Sequence, residues 1–194
     1  AVSVVRRHWL SPAGGTPEPL DGSSPEQAWA AGRADALDAI WRTNNYYDCF
    51  FYAPGVYQTR GGKYQERSAA NSGCKHIGKG TVGSDSTILQ LVDIWATWIE
   101  ETIFSPLSVA STCDGFEVHH MVLDCNAANV PKYERGEPMW IRIPLVSTGM
   151  VDTVRLHWAN SFVFLNRAYS IGPASEFTIY ARRFGTNTYV TNCV

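Results

Sequence analysis

The sequence predicts an all-β fold in which short strands stack as the rungs of a solenoid behind a single helix. Only residues 33–42 carry a convincing helical stripe of apolar side chains. Short apolar runs then recur along the chain, each closed by a turn that contains glycine. Further on, residues 151–158 alternate between apolar and polar, which is typical of a half-buried strand.

The composition predicts a packed protein with no nucleic-acid partner and no membrane span. Hydrophobic residues make up 45% of the 194 residues and charged residues 18%, which favours a buried core over disorder. The net charge of −2 gives no general attraction to nucleic acid. The most apolar stretch, residues 88–104, is interrupted by Asp93, Glu100 and Glu101.

The cysteines and the first residue favour a secreted, extracellular protein. Five cysteines occur without a C-x-x-C pair: Cys49, Cys74, Cys113, Cys125 and Cys193. Two disulfides and one leftover thiol fit an oxidising compartment. Five reduced, buried thiols in a cytosolic protein are the alternative. The chain begins at Ala1 rather than Met, as after removal of a signal peptide, although a chain boundary would explain this too.

An N-terminal arm at residues 1–24 and a helix precede the strands. The arm is rich in turn-forming residues, with a strand predicted near residues 2–5. Ser24 followed by Pro25 is a favourable helix start, because Ser caps free N–H groups and Pro fits the first turn. The helix is predicted most strongly over residues 33–42 and ends at Asn44-Asn45.

The segments after the helix predict a solenoid. Strand, turn and strand recur over residues 48–59, 74–91 and 114–126. Each round would bury its inward side chains on the round before it.

This part of the chain resembles the opening of a pectate-lyase-like right-handed parallel β-helix. The similarity is carried, in order, by DGSS and AW before the helix and by FFYAPGVY, IGKG and TIL after it, within residues 20–126. The resemblance implies that residues 25–130 form an N-terminal cap helix and the opening rungs of a β-helix. Many members of that family bind, cut or modify polysaccharides and others are adhesins, so the fold does not imply catalysis.

The remaining region, residues 131–194, resembles part of a discoidin-like (coagulation factor 5/8 type C) β-sandwich. The similarity rests on a strand at 138–145 and on a V-x-L-x-W strand at 154–158, with a third strand at 176–180. Such sandwiches need about 100 residues. Either the sandwich is incomplete or these β-sandwich-like strands extend the first region.

Side-chain alternation predicts which cysteines pair. With Phe50 pointing into the solenoid, Cys49 points outward, and with Ile77 pointing inward on the next rung, Cys74 shares that outward face. Rungs about 4.8 Å apart permit a Cys49–Cys74 disulfide. The remaining cysteines form a second predicted pair and a free or intermolecular thiol, namely Cys113 with Cys125, and Cys193.

Two short motifs indicate ligand sites at first sight. Residues 78–83 match the G-x-G-x-x-G dinucleotide pattern, but a turn and a strand follow where a helix is required, which argues against nucleotide binding. His119 and His120 are adjacent on a strand, so their rings are expected on opposite faces and not on one metal ion. A solvent-facing His beside a strand kink is the favoured interpretation.

The sequence predicts a calcium site but no active site. Asp114, Asp124 and Asn126 provide oxygen ligands that would suit Ca²⁺, and turn capping by these residues is the alternative. Lys75 and Glu117 lie on predicted strands, but no spacing pairs them for acid–base chemistry. The sequence therefore names no catalytic residues.

Aromatic side chains indicate carbohydrate binding. Flat rings stack on the apolar face of a sugar while neighbouring polar groups bond its hydroxyls. The candidates are Trp95 and Trp98, after a strand, and Tyr46 and Tyr47, before one. Burial in the core is the alternative for both tryptophans. The favoured function is therefore an extracellular carbohydrate-binding or polysaccharide-associated protein, with binding or scaffolding favoured over catalysis and a polysaccharide or glycan as partner.

Two other functions remain open. A structural subunit of an extracellular fibre, adhesin or surface layer would explain open strand edges and the leftover Cys193 through self-association. A polysaccharide lyase or glycoside hydrolase is the third, because enzymes are frequent in the family that the chain resembles.

Overall fold

A computed structural model of the chain describes residues 6–15, 21–42, 48–60, 74–92, 102–104, 116–124, 126, 139–141, 149–157 and 188–192. These residues contain one α-helix, α1, at Ala34–Arg42, and a 3₁₀ turn at Gly83–Asp85. The strands in them are β1 Arg7–Ser11, β2 Trp29–Ala30, β3 Cys49–Tyr52, β4 Gly55–Thr59, β5 Lys75–Ile77, β6 Thr87–Leu91, β7 Thr102–Phe104, β8 Phe116–Asp124, β9 Met139–Ile141, β10 Gly149–His157 and β11 Thr188–Thr191. In this part of the chain no helix combines the length and the apolar character needed to cross a bilayer.

Helix α1 confirms the predicted helix, and its apolar stripe is buried. Leu37 and Trp41 lie one turn apart on the same side and are 0% and 1% exposed. The indole N–H of Trp41 donates to the hydroxyl oxygen of Tyr52 on β3 at 2.9 Å. The Thr59 hydroxyl on β4 donates to the carboxylate of Asp38 at 2.7 Å. These contacts hold the helix against two strands.

The segment before α1 differs from the prediction. Ser24 does not begin the helix: its carbonyl and hydroxyl oxygens accept the backbone N–H of Gln27, both at 3.2 Å, which closes a single turn. Trp29–Ala30 then pairs with β1 as a short parallel strand. Beyond this strand, the backbone N–H of Gly32 donates to the carbonyl oxygen of Pro12 at 3.1 Å. The helix starts only at Ala34.

Nine of the strands form one all-parallel, curled sheet. Its order is β11-β10-β8-β5-β3-β1-β2, and β6 joins at β8 and carries β4 on its other side. Strands β7 and β9 form a separate parallel pair. The expected all-β class is therefore wrong, because the described part of the chain is mixed: one helix packs against a large parallel sheet.

The predicted right-handed β-helix and discoidin-like sandwich are also wrong. Strand β8 pairs with β5 along residues 117–119 and with β6 along residues 122–124, so one strand joins both neighbours in a continuous sheet. That sheet bends at His120, whose φ is 52°. Strand β10, expected in the sandwich, instead pairs in parallel with β8 from Gly149 to His157. The result is a curled half-barrel.

An aromatic stack forms part of the core on one face of this sheet. The Phe50 ring lies between the rings of His8 and His76, with centroids 5.2 Å away on each side. The Tyr52 hydroxyl, which accepts from Trp41, is also hydrogen-bonded to Nδ1 of His76 at 2.8 Å. Burial lowers the pKa of His76 from 6.5 to about 3, so the ring is neutral.

Candidate functional site

The face of the sheet opposite the core carries two rows of side chains that parallel pairing brings into register. The first outer row consists of Arg7, Cys49, Lys75 and Glu117. The second outer row consists of Trp9, Phe51, Ile77, His119 and Asp152. Members of the two rows are two residues apart along each strand, so they lie on the same face. Widely separated parts of the chain thus meet on one surface.

Two aromatic side chains at one end of the second outer row line a cavity. The rings of Trp9 and Phe51 are stacked, with centroids 5.3 Å apart and planes inclined by 19°. Both side chains are partly exposed. They line a cavity of about 330 Å³ together with Pro25, Pro54 and Lys79. A cavity of this size and apolar character is typical of a site for a small ligand.

A charged group lies farther along the same face. Lys75 Nζ donates to Oε1 of Glu117 at 2.6 Å, and Nε2 of His119 lies 3.0 Å from the second carboxylate oxygen. Burial by itself would raise the pKa of Glu117, but the hydrogen bonds and charges of Lys75 and His119 outweigh it and hold the pKa below its usual range. The β5–β8 register therefore pairs Lys75 with Glu117, which their sequence spacing did not reveal.

The two adjacent histidines match the prediction in part. His120 is a solvent-facing His at a strand kink, as expected, but its ring and that of His119 do not lie on opposite faces. The rings of His119 and His120 are 6.2 Å apart between centroids, and their ligand atoms and a carboxylate oxygen of Asp152 all lie within 4.8 Å of one another. The left-handed backbone of His120 interrupts strand alternation and brings both rings to one side. Gly78 allows this bend because it has no Cβ. A Cβ at position 78 would lie 2.3 Å from the His120 carbonyl oxygen, which is too close for any other residue type.

The cysteines are arranged differently from the prediction. Cys49 and Cys74 are both buried free thiols, so the Cys49–Cys74 bridge is not formed. Lys75, not Cys74, lies opposite Cys49. The inward residue of β5 is His76 rather than Ile77, which places Cys74 on the core face and Cys49 on the outer one.

Thiol alkylation checks this arrangement. In the folded protein, iodoacetamide should leave both Cys49 and Cys74 unmodified, because both are buried and desolvation raises the pKa of Cys49. After unfolding in guanidinium without a reductant, peptide mapping should find both residues alkylated. A disulfide-linked peptide that joins them would contradict the structure.

The oxygen ligands proposed for Ca²⁺ are only partly described. One carboxylate oxygen of Asp124 accepts the backbone N–H of Asn126 at 2.7 Å and the other accepts the Gln90 side-chain amide at 3.0 Å. These bonds match the turn-capping alternative, while the calcium site stays a prediction. The remaining predicted site residues lie outside the described residues: Tyr46, Tyr47, Trp95, Trp98, Cys113, Asp114, Cys125 and Cys193.

Sequence patterns did not predict the aromatic pair of Trp9 and Phe51 or the partners of His119. No local signal marks these residues, because their proximity depends on strand register. Comparison of the chain with protein-family models, with curated proteins and with solved structures finds no match.

Proposed function

We propose that this protein binds a carbohydrate on the outer face of its sheet, with the cavity beside Trp9 and Phe51 as the sugar-stacking site. The observation that carries the proposal is a stacked, partly exposed aromatic pair lining a cavity on the same face as the Lys75–Glu117–His119 group. The rings offer an apolar surface to the C–H face of a pyranose. The polar group offers donors and acceptors to hydroxyls.

The spacing of the two parts favours an oligosaccharide over a single sugar. Phe51 and His119 are in the same row and separated by the one strand that carries Ile77. Two strand spacings amount to about 10 Å, so a ligand that reaches both parts must extend beyond one ring. The ionised Glu117 carboxylate would accept hydroxyl hydrogen bonds, and Lys75 would donate them.

Affinity gel electrophoresis with soluble polygalacturonate, xylan and mannan tests the proposal. We expect retardation of the protein by at least one of these polymers. Replacing Trp9 or Phe51 with alanine should weaken binding by up to about tenfold, because a stacked aromatic contact contributes about 0.5–1.5 kcal/mol. The melting temperature of each variant is measured alongside.

Trp29→Ala is the matched control. Trp29 is also partly exposed and also stacked, on His8 at 5.0 Å, but it does not line the cavity. Its replacement should leave polysaccharide binding unchanged. Equal loss in Trp9→Ala and Trp29→Ala, or no retardation by any polymer, would refute the proposal. Concentration-dependent polymers seen by sedimentation, without glycan binding, would favour the structural-subunit alternative instead.

A further inference from the structure

The adjacent histidines and the aspartate opposite them form a set of ligands that the carbohydrate proposal does not use as a unit. Asp152 on β10 lies directly opposite His119 on β8, and His120 is exposed beside them. Two imidazoles and one carboxylate are the donor set of many zinc sites, in which three protein ligands leave one position for water or substrate. We propose that His119, His120 and Asp152 bind one divalent transition-metal ion of the Zn²⁺ class.

The distances suit this assignment. The three ligand atoms lie within 4.8 Å of one another. Atoms about 2.1 Å from one ion are at most about 4.2 Å apart, so small side-chain rotations bring them together. The exposed side chain of His120 has room to make this movement.

Neighbouring hydrogen bonds already orient two of the three ligands. A carboxylate only accepts, so the Nε2–H of His119 donates to Glu117 at 3.0 Å and Nδ1 carries the lone pair for a metal. Asp152 accepts the Asn192 side-chain amide at 2.8 Å and the Thr153 hydroxyl at 3.2 Å, one on each carboxylate oxygen. Such outer partners fix the ligands and strengthen metal binding.

The donor types select the metal. Ca²⁺ takes six to eight oxygen ligands, whereas this group offers two nitrogens and one carboxylate. Imidazole with carboxylate suits Zn²⁺ and its first-row neighbours. The metal is therefore expected to be distinct from the calcium predicted at Asp114, Asp124 and Asn126.

Isothermal titration of the full chain with ZnCl₂, in a non-chelating buffer and without polysaccharide, tests the site. We expect one Zn²⁺ per chain and no comparable binding of CaCl₂. His120→Ala and Asp152→Asn should each weaken Zn²⁺ binding by more than tenfold. Glu117→Gln, which alters only a positioning residue, should weaken it by about 10- to 100-fold.

Asp85→Asn is the control, since it makes the same chemical change as Asp152→Asn at an exposed position in the 3₁₀ turn. It should bind Zn²⁺ like the unmodified protein. Absence of Zn²⁺ binding, or undiminished binding by His120→Ala, overturns the proposal. His120 is exposed, so this variant decides the outcome even if Asp152→Asn does not fold. Because no glycan is present, failure here is separate from failure of the carbohydrate proposal.

Discussion

Replacing Phe50 with alanine should lower the free energy of unfolding by about 3–5 kcal/mol, as expected for removal of a fully buried aromatic ring. Phe50 is 0% exposed and lies between the rings of His8 and His76. Its loss would leave a cavity in the middle of that stack, where strands β1, β3 and β5 meet. Urea unfolding followed by tryptophan fluorescence measures the change.

Phe51→Ala is the matched control, since it removes the same side chain at the next position on the opposite face. Unlike Phe50, Phe51 is partly exposed to solvent, and it packs on Trp9 beside the outer cavity. Its replacement should cost about 1 kcal/mol and mainly affect carbohydrate binding. Equal destabilisation by the two variants would show that the core does not lie on the Phe50 face.

Acid should destabilise the protein through His76. Its pKa is about 3 in the folded protein and 6.5 when the ring is solvated. Between these pH values the unfolded state binds the extra proton, so the free energy of unfolding falls as pH drops, by at most about 1.4 kcal/mol per pH unit. Well above pH 6.5 the ring is neutral in both states and contributes no pH dependence.

The comparison variant is His76→Asn, which keeps a side-chain donor and acceptor near the Tyr52 hydroxyl but cannot be protonated. It should be less stable than the unmodified protein at pH 7, because it loses the ring stacked on Phe50. It should also lose less stability between pH 6.5 and pH 4 than the unmodified protein does. Denaturant unfolding at several pH values gives both slopes. Parallel slopes would show that His76 does not titrate as a buried ring.

Local sequence patterns predicted the helix and several strands of this fold, but not β1 at Arg7–Ser11 or β2 at Trp29–Ala30. The apolar stripe of Leu37 and Trp41 marked the helix, and short apolar runs marked β3 and β6 at nearly their observed positions. These signals depend on side-chain periodicity within one segment, so they can be recognised without knowing the neighbours of that segment.

The arrangement of those elements did not follow from the same patterns. In β5, His76 is polar and Ile77 is apolar, so the sequence pattern predicted that Ile77 faces inward. In the structure His76 is the buried residue. The imidazole is accommodated because Tyr52 is hydrogen-bonded to it and Phe50 stacks on it, and both partners come from β3. A shift of one residue exchanges the two faces of a strand, which also separated Cys49 from Cys74.

In the candidate site, too, some features follow from the sequence and others only from the tertiary structure. The sequence by itself determined which residue types are available, where several of the strands lie and that a packed core forms. Only the tertiary structure decided that Glu117 meets Lys75 and that Asp152 meets the two histidines. The physical reason is that strand register depends on contacts between distant segments, and that the left-handed turn at His120 needs a glycine at position 78, on a different strand.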